Sequence, residues 1–278
     1  MGVPFVSDRR LATAAKIALS WFQYRYRYEV DLLQTTERMS VMKKKLALLC
    51  VLGCFTQPVW AASINTLQLL TQSEFKLFSE DLGAALSYKA ATPAEPLGIT
   101  GFELGVGATS TEMKNPQLWT KATGSELKTM ILPKLYIYKG LPFDIDVAAF
   151  YSRVPTTNIK LTGLELRYAI LEGGVASPAV AVRGAMTKLS GVEQLSLGTK
   201  NLDVSISKGF AIFTPYAGAG SVWVESTPNG VASLAKETFR QSKIFAGANV
   251  NMGFSNFVLE YDKTGSSASY SAKLGFRF

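Results

Sequence analysis

The sequence predicts an all-β fold: an antiparallel up-and-down transmembrane β-barrel of about twelve strands, with ten as the alternative count, preceded by a short N-terminal helix. Three observations carry this. Apolar residues fall at every second position in segment after segment from Asp81 to Phe278, which is the period of a strand with two unlike faces. Most segments reach, or nearly reach, the roughly 9–11 residues that a tilted membrane strand requires. Their connections alternate between tight turns and longer loops, the asymmetry of a barrel that spans a bilayer.

Before the strands stands a different kind of segment. Lys43-Lys44-Lys45 follows Met42, Leu46–Phe55 is apolar, and Val59-Trp60-Ala61 offers a cleavage site. The apolar run is too short to span as a helix, which takes roughly 20 residues, and the order of parts is that of a secretory signal peptide over 42–61. Residues 1–41 then form an upstream extension, explained by a true start at Met42 or Met39, or by an amphipathic cytoplasmic arm. Val51-Leu52-Gly53-Cys54 faintly resembles a lipoprotein box, but Leu52 is bulky where a small residue is usual, so cleavage after Ala61 is the better reading.

That cleavage alters the composition. Of 278 residues, 47% are hydrophobic and 18% charged, with 2 Cys, no His and a formal net charge of +8. The low charged fraction argues against disorder. The first 61 residues hold nine of the 29 Lys+Arg, four of the 21 Asp+Glu, and both cysteines. The remaining 217 carry 20 positive and 17 negative charges, a net of +3 without cysteine. Basicity therefore implies no nucleic-acid partner, and no disulfide framework or thiolate metal site follows.

The elements then run in order. Residues 62–80 form an N-terminal segment, part helical, because Thr71-x-x-Glu74 suits a capping box. The predicted barrel occupies 81–278, with strands over 81–89, 99–108, 129–139, 143–152, 163–170, 179–189, 196–208, 214–225, 240–251, 256–262 and 269–278. The last is the clearest, with Tyr270, Ala272, Leu274, Phe276 and Phe278 alternating against Ser271, Lys273, Gly275 and Arg277. Lys200 and Lys208 break the rule by sharing the apolar phase; Lys208 can sit in a turn, and Lys200 needs a bulge or an interfacial place. Eleven strands do not close evenly, so 64–78 either adds a strand or threads the lumen.

Alternation alone also fits a soluble barrel with its faces exchanged. The continuous apolar phase, the Gly, Ala and Ser of the opposite phase, and the terminal aromatic favour lipid outside and a narrow lumen inside. With a signal peptide and a terminal Leu-Gly-Phe-Arg-Phe, residues 81–278 resemble a bacterial outer-membrane β-barrel protein. Glu80–Tyr88 and Pro96–Phe102 resemble an uncharacterised proteobacterial group of such barrels. The resemblance implies export to the outer membrane, lipid contact, and a C-terminal signal (Tyr270, Phe276, Phe278) read by the barrel-assembly machinery.

Chemistry is constrained by the missing histidine. It removes the usual imidazole mechanisms, and resemblance to the outer-membrane phospholipase, omptin protease and lipid A acyltransferase or deacylase families fails there. No catalytic residue, cofactor or metal is predicted, and the chain does not read as an enzyme. The residues predicted to line the lumen are Glu103, Asp144, Asp146, Glu165, Arg167, Arg183, Asp203, Trp223, Glu225, Lys243, Glu260, Lys273 and Arg277. They could pair across a narrow barrel, or line a pore for a small polar solute. The expected function is a channel or transporter. Its alternatives are a closed structural or surface-interaction barrel and a soluble periplasmic binding barrel.

Overall fold

A computed structural model of the chain describes residues 63–154, 157–174 and 176–278. The upstream extension, the signal peptide, the cleavage after Ala61 and the alternative at Cys54 lie outside the described residues.

Ten strands form one closed sheet: β1 Phe102–Glu112, β2 Thr129–Leu141, β3 Ile145–Arg153, β4 Lys160–Glu172, β5 Ala179–Ser190, β6 Leu195–Ser207, β7 Phe213–Pro228, β8 Glu237–Met252, β9 Ser255–Thr264 and β10 Ser267–Arg277. Each pairs antiparallel with its successor, and β1 closes on β10 with Gly107 opposite Lys273. One end carries the short connections 142–144, 208–212 and 253–254 with 173–178. The other carries 113–128 and 229–236 with 154–159, 191–194 and 265–266. These are called the turn end and the loop end.

The count of ten, rather than twelve, follows from residues 81–89. They are not a strand. Helix α1 runs Gln72–Leu86, opened by the predicted capping box between Thr71 and Glu74. The alternation of Leu82, Ala84, Leu86 and Tyr88 misled because this stretch is buried on every side, so no periodicity reports its exposure. A 3-10 turn, Leu67–Leu69, precedes it, and a second helix, α2 Pro116–Thr123, lies in the β1–β2 loop.

The barrel's polarity is the reverse of a water-soluble one. Leu104, Val106, Leu135, Ile137, Leu164, Leu166, Leu202, Val204, Ile244 and Leu259 all point outward and are exposed, while lysines, arginines and carboxylates are buried inside. Burial of charge in preference to leucine is unfavourable in water and favourable only if the outer surface meets hydrocarbon. Phe143, Phe210, Phe213, Phe254 and Phe278 gather at the turn end, where an aromatic belt would meet the interface. Among the described residues no helix is long and apolar enough to cross a membrane; strands are a separate matter.

The lumen is occupied. Helix α1 enters from the loop end, where Phe75, Phe78, Leu82 and Leu86 join an apolar cluster with Ile64, Leu67, Trp119, Leu195, Val222 and Val224. Phe78 packs on Trp119 at 4.7 Å between ring centroids. Gly83 permits the closest approach to the wall: a Cβ there would lie 2.7 Å from Val224 Cγ2 and 3.0 Å from Cγ1. Overpacking of this kind costs about 1–3 kcal/mol. Gly83→Leu is therefore expected to lower barrel stability by about that amount, read as a fall in the urea midpoint in lipid vesicles.

Candidate functional site

Beyond Leu86 the chain continues as an irregular strap, residues 87–97, down the lumen toward the turn end. A strap without regular secondary structure cannot satisfy its own backbone, and the wall supplies partners. Asn201 Nδ2 and Lys243 Nζ donate to Tyr88 O at 3.4 and 3.0 Å, and Tyr138 Oη donates to Ala90 O at 2.6 Å. The amides of Ala91, Ala94 and Leu97 donate to Glu260 (3.1 Å), Ser207 (3.1 Å) and Asp146 (3.1 Å). Arg167 Nη1 reaches Thr92 Oγ1 at 2.9 Å and the carbonyl of Pro93. Lys89 pairs with Asp262 and hydrogen-bonds Ser87 and Thr264.

Around the strap, the predicted lumenal charges come together in pairs. Arg167 Nη2 is 2.6 Å from Asp146, Lys243 is 2.9 Å from Asp203, and Lys273 and Arg277 lie 2.7 and 2.9 Å from Glu103. Arg183 Nε lies 3.2 Å from Glu165 Oε2, an ion pair without hydrogen-bond alignment. Glu260 accepts from Tyr216 Oη at 2.9 Å. Arg277 stands at the turn-end mouth, partly exposed.

Three predicted positions are corrected. Asp144 sits in the β2–β3 turn: Phe143 and Asp144 have φ of 63° and 57°, so the hairpin reverses before the lumen begins. Trp223 and Glu225 point outward, Trp223 at 40% exposure and Glu225 paired with Lys236 at 2.7 Å. Their phase was misread because Val222 and Val224 look like lipid-facing residues. Instead they face inward onto the apolar helix α1, so at this level the apolar phase is lumenal. Lys200 is outward and opposite Trp223 in register, toward the loop end, which removes the need for a bulge.

Lys89, Lys134 and Asp262 are lumenal residues that sequence reasoning did not single out. Asp262 was accessible, since it shares the phase of Glu260 on β9. Lys134 holds Thr109 Oγ1 at 3.0 Å and lies 5.0 Å from the Phe150 ring centroid. With these, the buried charges among the described residues are six cations (Lys89, Lys134, Arg167, Arg183, Lys243, Lys273) and seven anions (Asp81 of α1, Glu103, Asp146, Glu165, Asp203, Glu260, Asp262). They are close to neutral overall. Such an arrangement presents no net field to select a charged solute, and its members are largely engaged with one another or with the strap.

At the loop end, residues 63–74 are tied to the loops. Asn65 and Thr66 amides donate to Ala122 O at 3.3 and 3.2 Å, Leu67 N to Gln194 Oε1 at 3.1 Å, and Lys121 Nζ pairs with Glu74 at 2.6 Å. The hydrogen bond from Lys121, with that from the Thr71 amide, holds the Glu74 carboxyl below the usual carboxylate range. A depressed folded value means the latch contributes at neutral pH and is lost as acid titrates Glu74.

No sequence family and no curated protein matches this chain. Solved structures similar to it are bacterial outer-membrane barrels. The KdgM porin matches at 9% identity over 63% of this chain and 99% of its own, with a TM-score of 0.32. OprG from Pseudomonas aeruginosa matches at 8% identity over 67% and 99%, TM-score 0.31. OmpT of Vibrio cholerae, in a loop-deletion form, matches at 12% identity and TM-score 0.28, and the chain spans only 54% of its length. The fold assignment rests on the closed ten-strand sheet itself.

Proposed function

We propose that this protein is a closed outer-membrane barrel whose own N-terminal segment fills its lumen, and that it works through its loop-end surface rather than as an open pore. The observation that carries the reading is the continuous course of residues 71–97 through the barrel, buried nearly throughout from Phe78 to Ala94. A segment so placed obstructs the passage of a solute, and its hydrogen bonds and ion pairs at several levels resist its displacement. The outer-membrane address is supported by the inverted polarity and the aromatic turn end. The same reading gives the buried carboxylates a structural role, in ion pairs or as hydrogen-bond acceptors.

A channel for a polar solute, opened by withdrawal of the strap, is the second reading. The polarity of the strap–wall contacts favours it, since polar contacts can exchange with water. Liposome swelling separates the two. Vesicles containing the folded protein are expected to swell in arabinose or galacturonate no faster than empty vesicles. Rates that rise with protein content would establish the channel.

A further inference from the structure

Six exposed cations of the outward face gather on one rim. Arg153, Lys160, Lys188, Lys200, Arg240 and Lys263 are all exposed, and all lie in the loop-side half of β3, β4, β5, β6, β8 or β9. They share the outward phase of Leu164, Met186, Leu202 and Ile244, so they stand directly above the apolar belt. Neighbours are set side by side by the strand register: Arg153 is opposite Lys160, Met186 opposite Lys200, and Trp223 opposite both Lys200 and Arg240. Arg240 stacks 5.6 Å from the Trp223 ring centroid and donates to Ser221 Oγ.

These cations are largely unused by the protein. Arg153, Lys160, Lys188, Lys200 and Lys263 form no ion pair or hydrogen bond among the described residues. The outward carboxylates of the same rim, Glu112 and Glu225, already have Lys114 (2.8 Å) and Lys236 (2.7 Å). At the turn end the cations behave differently: Lys139 donates to Ile99 and Gly101 carbonyls, and Lys208 to Gly174 and Ser177 carbonyls. A charged ring immediately above hydrocarbon meets lipid headgroups before it meets bulk water, and a partner reaching it must approach along the bilayer.

We propose that this collar binds the phosphate groups of the lipid in the outer leaflet, with Arg240 on Trp223 as its most ordered contact. Lysine and arginine suit phosphate oxygens as donors, and each cation near an anionic membrane surface adds about fivefold to binding. The proposal rests on the barrel spanning the outer membrane with its loop end facing outward, and is independent of whether the lumen is closed.

The test places the full chain in phosphocholine nanodiscs doped with bisphosphorylated lipid A or its dephosphorylated form, and measures lipid retained on the protein by native mass spectrometry. The phosphorylated lipid is expected to be enriched on the order of tenfold or more, and the enrichment to weaken as salt rises. The Lys188→Gln/Lys200→Gln/Arg240→Gln variant is expected to lose most of it, while Lys139→Gln, at the turn end, retains it. Heat-modifiable gel migration verifies that each variant is folded. Equal retention of both lipids overturns the proposal, as does enrichment that survives the triple substitution. Equal binding of a soluble sulfated oligosaccharide to the same residues would assign the collar to a water-borne polyanion and also overturn it.

Discussion

Replacing Arg167 by Met is expected to destabilise the folded barrel by about 3–5 kcal/mol, the cost of leaving one member of a buried ion pair unpaired. Arg167 is directly opposite Asp146 in the β3–β4 register and reaches its Oδ2 through both Nε (3.1 Å) and Nη2 (2.6 Å). Both side chains are 2% exposed or less, so water cannot take over. The strap loses as well, since Arg167 also holds Thr92 and Pro93. The Asp146→Leu/Arg167→Met double variant is expected to recover at least about 2 kcal/mol of the loss, because no uncompensated charge remains. Reversible urea unfolding in phospholipid vesicles measures the cycle. A single variant within about 1 kcal/mol of the parent would show the pair to be solvated.

The course of the N-terminal segment makes a second, nearly all-or-none prediction. Ser63 is at the loop end, bound through its neighbours to Ala122 and Gln194, whereas the strap leaves at the turn end beside Asp146 and Lys139. The chain therefore crosses the barrel once inside its own lumen before β1 begins. Cysteine at Ser63 should react with a membrane-impermeant maleimide whenever cysteine at Ser233, in the β7–β8 loop, does. It should differ from cysteine at Asp144, in the β2–β3 turn. With the loops facing out, intact cells label Ser63→Cys and Ser233→Cys, and Asp144→Cys labels only after permeabilisation. Ser63 behaving like Asp144 would show that the segment does not pass through.

Much of the wall was legible because two unlike solvents act on it. On β4, Leu164 and Leu166 meet the outside while Glu165 and Arg167 meet the lumen, and the period-two pattern records that contrast residue by residue. β5, β6, β9 and β10 read the same way. The pattern failed where the contrast disappears. Val222 and Val224 face an apolar helix, so their chemistry no longer distinguishes inside from outside, and Trp223 and Glu225 were carried to the wrong face with them. Residues 81–89 have no exposed face, so their spacing could suggest a strand although the capping box at Thr71 starts a helix that runs to Leu86. The capping box located the helix start; nothing local located its end. Lys89 was hidden for a different reason: its partner Asp262 is 173 residues away, and only barrel closure brings them together.

The occupied lumen is the centre of this account, and single-channel recording in planar bilayers tests it most directly. The full chain is expected to insert, as shown by heat-modifiable migration of the recovered protein, and to pass no resolvable current. The chain lacking residues 63–97 is expected to give ohmic steps through a lumen lined by the now unoccupied charges. Reproducible ohmic steps from the full chain would contradict the account.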